Sequence, residues 1–177
     1  MATIKQQQKT SIAWFLSMIK GVKGSGKDRA RVGIDSFSPA KDAFLGGMFF
    51  FKYDAKHKET LPYWDAFPLV IPVEIYKDGF LGLNLHYLPP VLRKQIIDKL
   101  VTYKRQAGSN RAFMALSYPM LSSAVKSDLF APCVHRYLES HLRSEFIKVN
   151  EEAWVNATML PVQKFQGATS RQVWSRK

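Results

Sequence analysis

The clearest pattern of apolar and polar positions lies in the middle of the chain and predicts a β-hairpin. Residues 68–76 (PLVIPVEIY) are apolar and β-branched, and residues 80–88 (FLGLNLHYL) alternate leucine with small or polar residues. Between them, Lys77-Asp78-Gly79 predicts a tight turn, in which glycine takes a positive φ without steric cost. We therefore predict a hairpin over about 68–86. Pro72 should lie at a sheet edge or a bulge, because proline donates no ladder hydrogen bond.

After the hairpin, apolar residues recur at every third or fourth position, which predicts helices. The pair Pro89-Pro90 ends the second strand and suits the first turn of a helix over 91–106. The segment 111–130 predicts one or two short helices broken near Pro119. Residues 132–146 have apolar side chains aligned along one stripe and predict a further helix.

These elements predict a single α+β domain. Residues 48–53 (MFFFKY) are aromatic-rich and predict another strand, so the hairpin belongs to a small antiparallel sheet packed by several helices. A chain of 177 residues, 46% of them apolar, is long enough to form one hydrophobic core. We predict that this domain spans 46–163. It lies between a basic N-terminal helix and flexible arm, 1–45, and a basic C-terminal tail, 164–177.

Positive charge is concentrated at the two ends of the chain. The formal net charge is +12; residues 1–31 carry seven basic side chains against one acidic, and residues 164–177 carry four basic side chains and no acidic one. The predicted domain between them is nearly balanced. We therefore predict that the ends bind nucleic acid or partner proteins through Lys5, Lys9, Lys20, Lys23, Lys27, Arg29, Arg31, Lys164, Arg171, Arg176 and Lys177.

Three interpretations of these basic extensions remain open. They can neutralise DNA phosphates without reading sequence, and their affinity then falls steeply with salt. They can instead become ordered against neighbouring subunits of an assembly. The stretch 11–20 (SIAWFLSMIK) predicts an amphipathic helix that can lie on an anionic membrane, although its apolar face is short.

The number of cysteines and the hydropathy of the sequence indicate in which cellular compartment the protein is made. The single cysteine, Cys133, leaves no internal disulfide and fits a reducing environment. No run approaches the eighteen or so apolar residues of a membrane span. Residues 1–20 also lack the pattern of a signal peptide. We therefore expect a protein without a membrane span that is made in a cytoplasm.

A near-match to a phosphate-binding loop occurs in the N-terminal segment. Residues 21–28 (GVKGSGKD) depart from G-x-x-x-x-G-K-[ST] at the last position, where Asp28 replaces the hydroxyl that ligates Mg²⁺. A carboxylate at that position repels the phosphates, and no helix with an apolar stripe follows. A flexible basic linker therefore explains this stretch better than a nucleoside triphosphatase does.

No set of side chains in the sequence predicts a catalytic or metal site. Cys133, His135 and His141 lack the fourth ligand and the paired spacing of zinc sites. Asp65, Glu74 and a lysine three residues later resemble the metal-binding residues of restriction-type nucleases. The restriction-type pattern places the lysine two residues after the acid, so that both side chains share a strand face. Here Lys77 lies three residues after Glu74, and the intervening turn would aim the two side chains apart. We predict no enzyme, no metal and no cofactor.

Aromatic residues cluster ahead of the hairpin. Interleaved with lysines, such residues can stack on single-stranded bases, but Phe49 and Phe51 fit a hydrophobic core better. Tyr63, Trp64 and Phe67 are large for a solvated loop. We therefore predict that these three residues form a partner-docking edge.

Two stretches carry a wider residue pattern, YDAKHKETLPYWDAFPLVIPVEIYKDGFLGLNLHYLPPVLR at 53–93 and HLRSEFIKV, W, MLPVQKF and VW within 141–174. The pattern resembles small virion proteins of T4-like contractile-tailed bacteriophages. The resemblance covers about 48–175, and Phe80–Pro90 is its most specific part. It implies a structural component of the tail, baseplate or head-tail region without catalysis, and it assigns no functional residue.

The resemblance and the charge distribution favour the same function. We predict a non-catalytic structural or assembly component of a phage virion, whose basic ends contact DNA or neighbouring virion proteins. The first alternative is a phage nucleic-acid-binding accessory protein of replication or packaging. The second is a metal-dependent nuclease that acts through Glu74.

Overall fold

Within residues 37–128 and 130–175, which the computed structural model describes, the protein contains a six-stranded antiparallel sheet and a separate strand pair. The strands are β1 Phe37–Ala40, β2 Met48–Phe50, β3 Trp64–Asp65, β4 Leu69–Tyr76, β5 Gly79–Asn84, β6 Val134–Leu138, β7 Phe146–Val149 and β8 Phe165–Gln166. The order in the large sheet is β1-β7-β2-β4-β5-β6, and β3 pairs with β8.

The helices are α1 Pro90–Gln106, α2 Asn110–Val125, α3 Trp154–Met159 and α4 Ser170–Ser175. Helix α1 packs against α2 and α3, and the 3₁₀ turn Leu85–Tyr87 connects β5 to α1. Together with the sheet, these helices confirm the predicted α+β fold class and the helix predicted over 91–106. In the described part of the chain, no helix is long and apolar enough to cross a lipid bilayer.

Strands β4 and β5 form the predicted hairpin. Tyr76 pairs with Gly79 across the turn, and Gly79 has a φ of 151°. A Cβ atom at Gly79 would lie 1.9 Å from the carbonyl oxygen of Tyr137 in β6, so the close approach of that strand also requires glycine. The register shifts between Pro72 and Glu74, which confirms the predicted bulge. The alternative position at a sheet edge is wrong, because β4 lies between β2 and β5.

Both faces of the sheet are buried. Alternation along the second strand places Met48 and Phe50 in the core beneath the helices, and Phe49 and Phe51 on the opposite face. On that opposite face the rings meet at centroid distances such as 5.2 Å between Phe51 and Tyr137. We call this group the aromatic cluster; it comprises Phe49, Phe51, Tyr53, Phe80, Tyr137 and Phe146. The prediction that Phe49 and Phe51 belong to the core is confirmed.

The helix predicted over 132–146 is wrong. Residues 134–138 form β6, in which Tyr137 lies opposite Phe80 of β5. Residues 146–149 form β7. The extended backbone of β6 directs Tyr137 into the aromatic cluster. Pairing with the exposed edge of β5 therefore outweighs the local helical spacing.

The break predicted near Pro119 is also wrong, because α2 continues through this residue. A proline inside a helix removes one backbone hydrogen bond. Here the proline is exposed, and Ser117 Oγ donates a hydrogen bond to the Phe113 carbonyl at 2.8 Å on the buried side of the helix.

Folded structure extends beyond the predicted domain 46–163 on both sides. Strand β1 pairs with β7, and the segment after 163 contains β8 and α4, whose Val173 is part of the core. The helix predicted over 11–20 lies outside the described residues, as do all other residues before 37 and the two residues after 175.

Candidate nucleic-acid interface

A cleft of about 300 Å³ opens between the loop that follows β2 and strand β6. Aromatic side chains form most of its wall, and basic side chains lie among them. We call it the aromatic cleft; it is lined by Tyr53, Lys56, His57, Tyr63, Trp64, Asp65, Tyr87, His135, Arg136 and Tyr137, with Ala55, Leu61 and Leu138. Three separate parts of the sequence contribute to this wall.

The loop over 53–61 is ordered by its own hydrogen bonds and by contacts with the strand opposite. Tyr53 Oη accepts a hydrogen bond from the Leu138 amide at 3.3 Å. The Leu61 amide donates to the His57 carbonyl at 2.9 Å and closes the turn. This geometry leaves the side chains of Lys56 and His57 exposed at the rim of the aromatic cleft.

The strand pair β3–β8 positions the second part of the wall. Trp64 pairs with Gln166, which holds the preceding Tyr63 with its ring centroid 5.8 Å from that of Tyr87. The Tyr87 ring in turn lies 4.3 Å from the His135 ring. The cleft therefore contains a row of ring systems drawn from the residue before β3, the 3₁₀ turn and β6.

Asp65 is the one carboxylate among the described residues of the cleft wall, and it is only 4% exposed. Its Oδ2 accepts a hydrogen bond from His86 Nδ1 at 2.7 Å, and its Oδ1 accepts the amides of Phe67 and Lys164, each at 3.0 Å. Burial alone raises the pKa of Asp65, but His86 and the two amides outweigh burial and lower the pKa below its ordinary value. The negative charge is therefore stabilised inside the protein by hydrogen bonds.

His86 lies beneath the cleft and is fully buried. Burial lowers the pKa of His86 and outweighs the nearby Asp65 carboxylate, which raises it. The neutral ring donates its Nδ1–H to Asp65, while its backbone amide donates to Asn84 Oδ1 at 3.0 Å. These bonds hold the 3₁₀ turn that carries Tyr87. Among the described residues, His86 Nε2 has no hydrogen-bond partner.

His135 contributes a ring to the cleft rather than a charge. Burial lowers the pKa of His135 to about 4, so the imidazole is neutral at physiological pH. In this neutral state Nε2–H donates to the Pro132 carbonyl, 3.0 Å away. The interior of the cleft is thus aromatic and uncharged on the β6 side.

The available positive charge lies at the rim. Arg136 forms an ion pair with Asp78, and Lys58 pairs with Asp54 at 2.9 Å. Lys56 forms no ion pair among the described residues, and its side chain is exposed. A ligand phosphate at the rim would therefore find Lys56 without a competing carboxylate.

The C-terminal helix α4 is fastened to the body beside this site. Trp174 Nε1 donates a hydrogen bond to the His86 carbonyl at 2.8 Å, and the Arg93 guanidinium lies 5.1 Å from the Trp174 ring centroid. Of the predicted binding residues of the tail, Lys164 and Arg171 are exposed on this folded segment. Their charges are therefore held on the body at fixed positions.

The chain matches a protein family over residues 2–177, and the family is described as Phage T4 terminal DNA protecting protein. The chain belongs to this family. No curated protein and no solved structure matches it. The match confirms the resemblance to proteins of T4-like phages, whereas a position in the tail or baseplate does not follow from it.

In this member of the terminal DNA protecting family, the three aromatic residues predicted to dock a partner have different environments. Tyr63 and Trp64 are half-buried and line the aromatic cleft. Phe67 packs inward, and its ring stacks on Phe50 with centroids 5.3 Å apart. Partner docking through these residues stays a prediction.

Some of the basic residues predicted for binding lie within the described part of the chain, and the others lie outside it. Lys164 and Arg171 have the positions given above. The others lie outside the described residues: Lys5, Lys9, Lys20, Lys23, Lys27, Arg29, Arg31, Arg176 and Lys177.

The carboxylates of the nuclease hypothesis have separate environments. Asp65 is engaged by His86 in the interior, whereas Glu74 is exposed on the hairpin and accepts a hydrogen bond from Tyr76 Oη at 2.7 Å. Cys133 is buried and forms no disulfide. Among residues 37–128 and 130–175, no group of three or more histidine, cysteine, aspartate or glutamate side chains is arranged to hold a metal ion.

Sequence reasoning missed the contribution of β6 to the cleft. On the helix predicted over 132–146, His135, Arg136 and Tyr137 would not face a common partner. The apolar residues of 134–138 lie at 134, 137 and 138, which is helical spacing, so the available strand signal was the β propensity of Val134 and Tyr137.

Proposed function

We propose that this protein binds the ends of linear phage DNA and shields them from nucleases without catalysing a reaction. The description of its family, which refers to terminal DNA, supports DNA termini as the ligand. The observation that carries the proposal is the aromatic cleft. Its wall combines ring systems with exposed cations such as Lys56, while Asp65 is buried and held by internal hydrogen bonds. A surface of this kind suits bases and phosphates together.

The basic ends of the chain supply the general attraction to DNA in this proposal. Each phosphate that a lysine or arginine neutralises releases a condensed counterion, so affinity falls with salt in proportion to the number of such contacts. Seven basic residues precede position 32, and Lys164, next to β3, and Arg171, on α4, are exposed on the folded body. The other virion proteins predicted as partners of these ends are a second possible ligand of the same charges.

A nuclease-protection assay tests the proposal. Linear duplex DNA is digested by an exonuclease in the presence of the full-length protein, with linear or circular competitor DNA of equal mass. We expect the protein to slow digestion, and linear fragments rich in ends to abolish protection at a far lower concentration than circles. Equal competition by circles would show that the protein binds DNA without regard to ends, and end protection would then be wrong.

A charge-neutralised variant tests the role of the N-terminal residues. Changing the seven lysines and arginines of 1–31 to glutamine in the full-length chain should flatten the dependence of binding on salt. The log–log slope should fall by about 0.9 for each DNA phosphate that the variant no longer neutralises. The control changes the exposed Lys99, Arg111 and Lys126 on the helical side of the body. If the slope falls by the same amount per charge removed in both variants, the N-terminal residues have no special role.

We also propose that the protein is carried in the phage particle, close to the terminus of the packaged DNA. The nearly neutral body with strongly basic ends supports this location, because packaged DNA attracts such ends. Co-purification with DNA-filled particles but not with empty ones is the expected result. Presence in infected cells but in neither kind of particle would favour an accessory protein of replication or packaging.

A further inference from the structure

The dimensions of the aromatic cleft restrict what it can hold. Its volume of about 300 Å³ lies at the small end of the range for ligand pockets, roughly 300–1,000 Å³. A DNA duplex is too wide to enter, whereas a single nucleotide with an unpaired base is of suitable size. We propose that the aromatic cleft binds the terminal nucleotide of a DNA strand, with the base against the rings and its phosphate at the rim. This inference rests on the proposed function, DNA-end binding.

The wall offers ring faces that accept any base. Tyr63 and Trp64 are half-buried and line the cleft, and the Tyr87 ring continues this surface towards His135 at a centroid distance of 4.3 Å. Every base has a π-face, so stacking on aromatic rings tolerates any sequence. His135 is neutral and adds another ring to this surface. A protein that caps ends of arbitrary sequence needs this kind of contact.

The rim offers a cation for the phosphate of the terminal nucleotide. Lys56 is exposed and forms no ion pair among the described residues, and His57 is exposed beside it. Lys58, by contrast, is held by Asp54, and Arg136 is held by Asp78. Lys56 is therefore the side chain of this loop that can turn to a phosphate without giving up a carboxylate partner.

The floor of the cleft favours a strand end over a strand interior. Tyr137 and Asp65, each 4% exposed, belong to the buried interior on the inner side of the cleft. The cleft is therefore closed on this inner side, and an inserted nucleotide meets buried protein there. An end base pair has a stacking neighbour on one side only, so its base opens at lower cost than a base within the duplex, where flipping costs unstacking on both sides.

A fluorescent base at defined positions tests this inference. Linear duplexes carry 2-aminopurine either as the last nucleotide of one strand or about ten positions inside, and each is titrated with the full-length protein. We expect stacking in the cleft to change the emission of the terminal probe and to leave the internal probe unchanged. In Tyr63→Leu the terminal signal should be lost and end affinity should fall roughly tenfold. The matched control is Tyr118→Leu, which changes a tyrosine exposed on α2, away from the cleft.

A second variant does not depend on the packing of the cleft. Lys56→Ala changes an exposed side chain and should weaken end binding several-fold, whereas Lys126→Ala, which is equally exposed on the helical side, should not. Free dAMP should displace the DNA end only at a concentration much higher than that of the ends, because dAMP lacks the neighbouring phosphates of the strand. Displacement at concentrations equal to that of the ends would identify a free mononucleotide as the ligand and overturn the inference.

The outcomes separate this inference from the proposed function. If the wild-type protein prefers linear to circular DNA but the terminal and internal probes respond alike, end binding stands and the inference is overturned. The same conclusion follows if Tyr63→Leu and Lys56→Ala both bind ends as the wild type does. If the wild type shows no preference for linear DNA, both fail. If Tyr63→Leu does not fold, the two probe positions in the wild type and the Lys56→Ala affinity decide.

Discussion

Arg93 provides the sharpest test of how the site is held together, because it is a charged side chain in the interior. It is 1% exposed, and its guanidinium donates to the Leu88 carbonyl at 2.7 Å and to the His86 carbonyl at 3.0 Å. It also lies beneath the Trp174 ring. Burial lowers its pKa to about 10, so it remains charged at neutral pH. The perturbation is Arg93→Met, which keeps the stem and removes the donors.

The expected loss of stability follows from the two carbonyl groups. The Leu88 carbonyl loses its donor inside the protein, which costs about 1–3 kcal/mol. The His86 carbonyl keeps the hydrogen bond from Trp174, so removal of the Arg93 donor there costs about 1 kcal/mol. The hydrogen bond of Arg93 to the Thr158 carbonyl, at 3.4 Å, is too long to add much. We expect a decrease of about 2–4 kcal/mol in the free energy of unfolding.

Urea unfolding followed by circular dichroism measures this decrease, and a thermal scan should show a midpoint lower by roughly 10 °C. Arg111→Met, an exposed arginine of α2, is the control and should change stability by about 0.5 kcal/mol or less. The opposing contribution is the desolvation of the Arg93 charge, which methionine removes. If Arg93→Met is as stable as the wild type or more stable, desolvation outweighs the carbonyl bonds and the reasoning is refuted.

Three further predictions concern pH, backbone geometry and thiol chemistry. The free energy of unfolding should fall as pH drops from about 6.5 towards 4, because His135 binds its proton at higher pH in the unfolded chain than in the folded one. Thermal scans across this range should show a smaller change of the unfolding midpoint with pH for His135→Gln than for the wild type. Gly79→Ala should lose about 2 kcal/mol or more in urea unfolding, since its Cβ meets the Tyr137 carbonyl, whereas Gly108→Ala should be neutral or stabilising because its Cβ enters open space. Cys133, whose pKa burial raises to about 12, should react with a thiol reagent only after unfolding, and rapid labelling of the native protein would contradict this.

The parts of the fold that the sequence predicted are those specified by neighbouring residues. The hairpin around Gly79 and helix α1 after Pro90 were predicted because their periodicity and their turn residues agree. The segment 132–146 was mispredicted because its apolar spacing suits a helix. The free edge of β5 settled the choice in favour of β6. Nothing within 132–146 identifies that edge.

The aromatic cleft was predictable in part for a similar reason. Tyr63 and Trp64 are conspicuous as aromatic residues in a polar loop, so the sequence marks them as a binding edge. Their partner wall is β6, and Tyr137 is separated from them by more than seventy positions. The strand pair β3–β8 joins Trp64 to Gln166 over a longer separation still. Such contacts arise when the sheet assembles, and no local pattern encodes them.

The two kinds of contact proposed for this protein would respond differently to salt. Phosphate contacts of the basic ends favour every stretch of DNA equally, and a long genome offers far more internal sites than ends. Charge alone would therefore distribute the protein along the duplex and leave the ends bare. Stacking of one terminal base in the aromatic cleft is short-ranged and releases no counterion of its own, so only the phosphate contact of Lys56 adds a dependence on salt there. Selectivity for ends would then come from the cleft, and the ratio of end binding to internal binding should fall with rising salt only by the single phosphate contact of Lys56, far less steeply than total affinity declines.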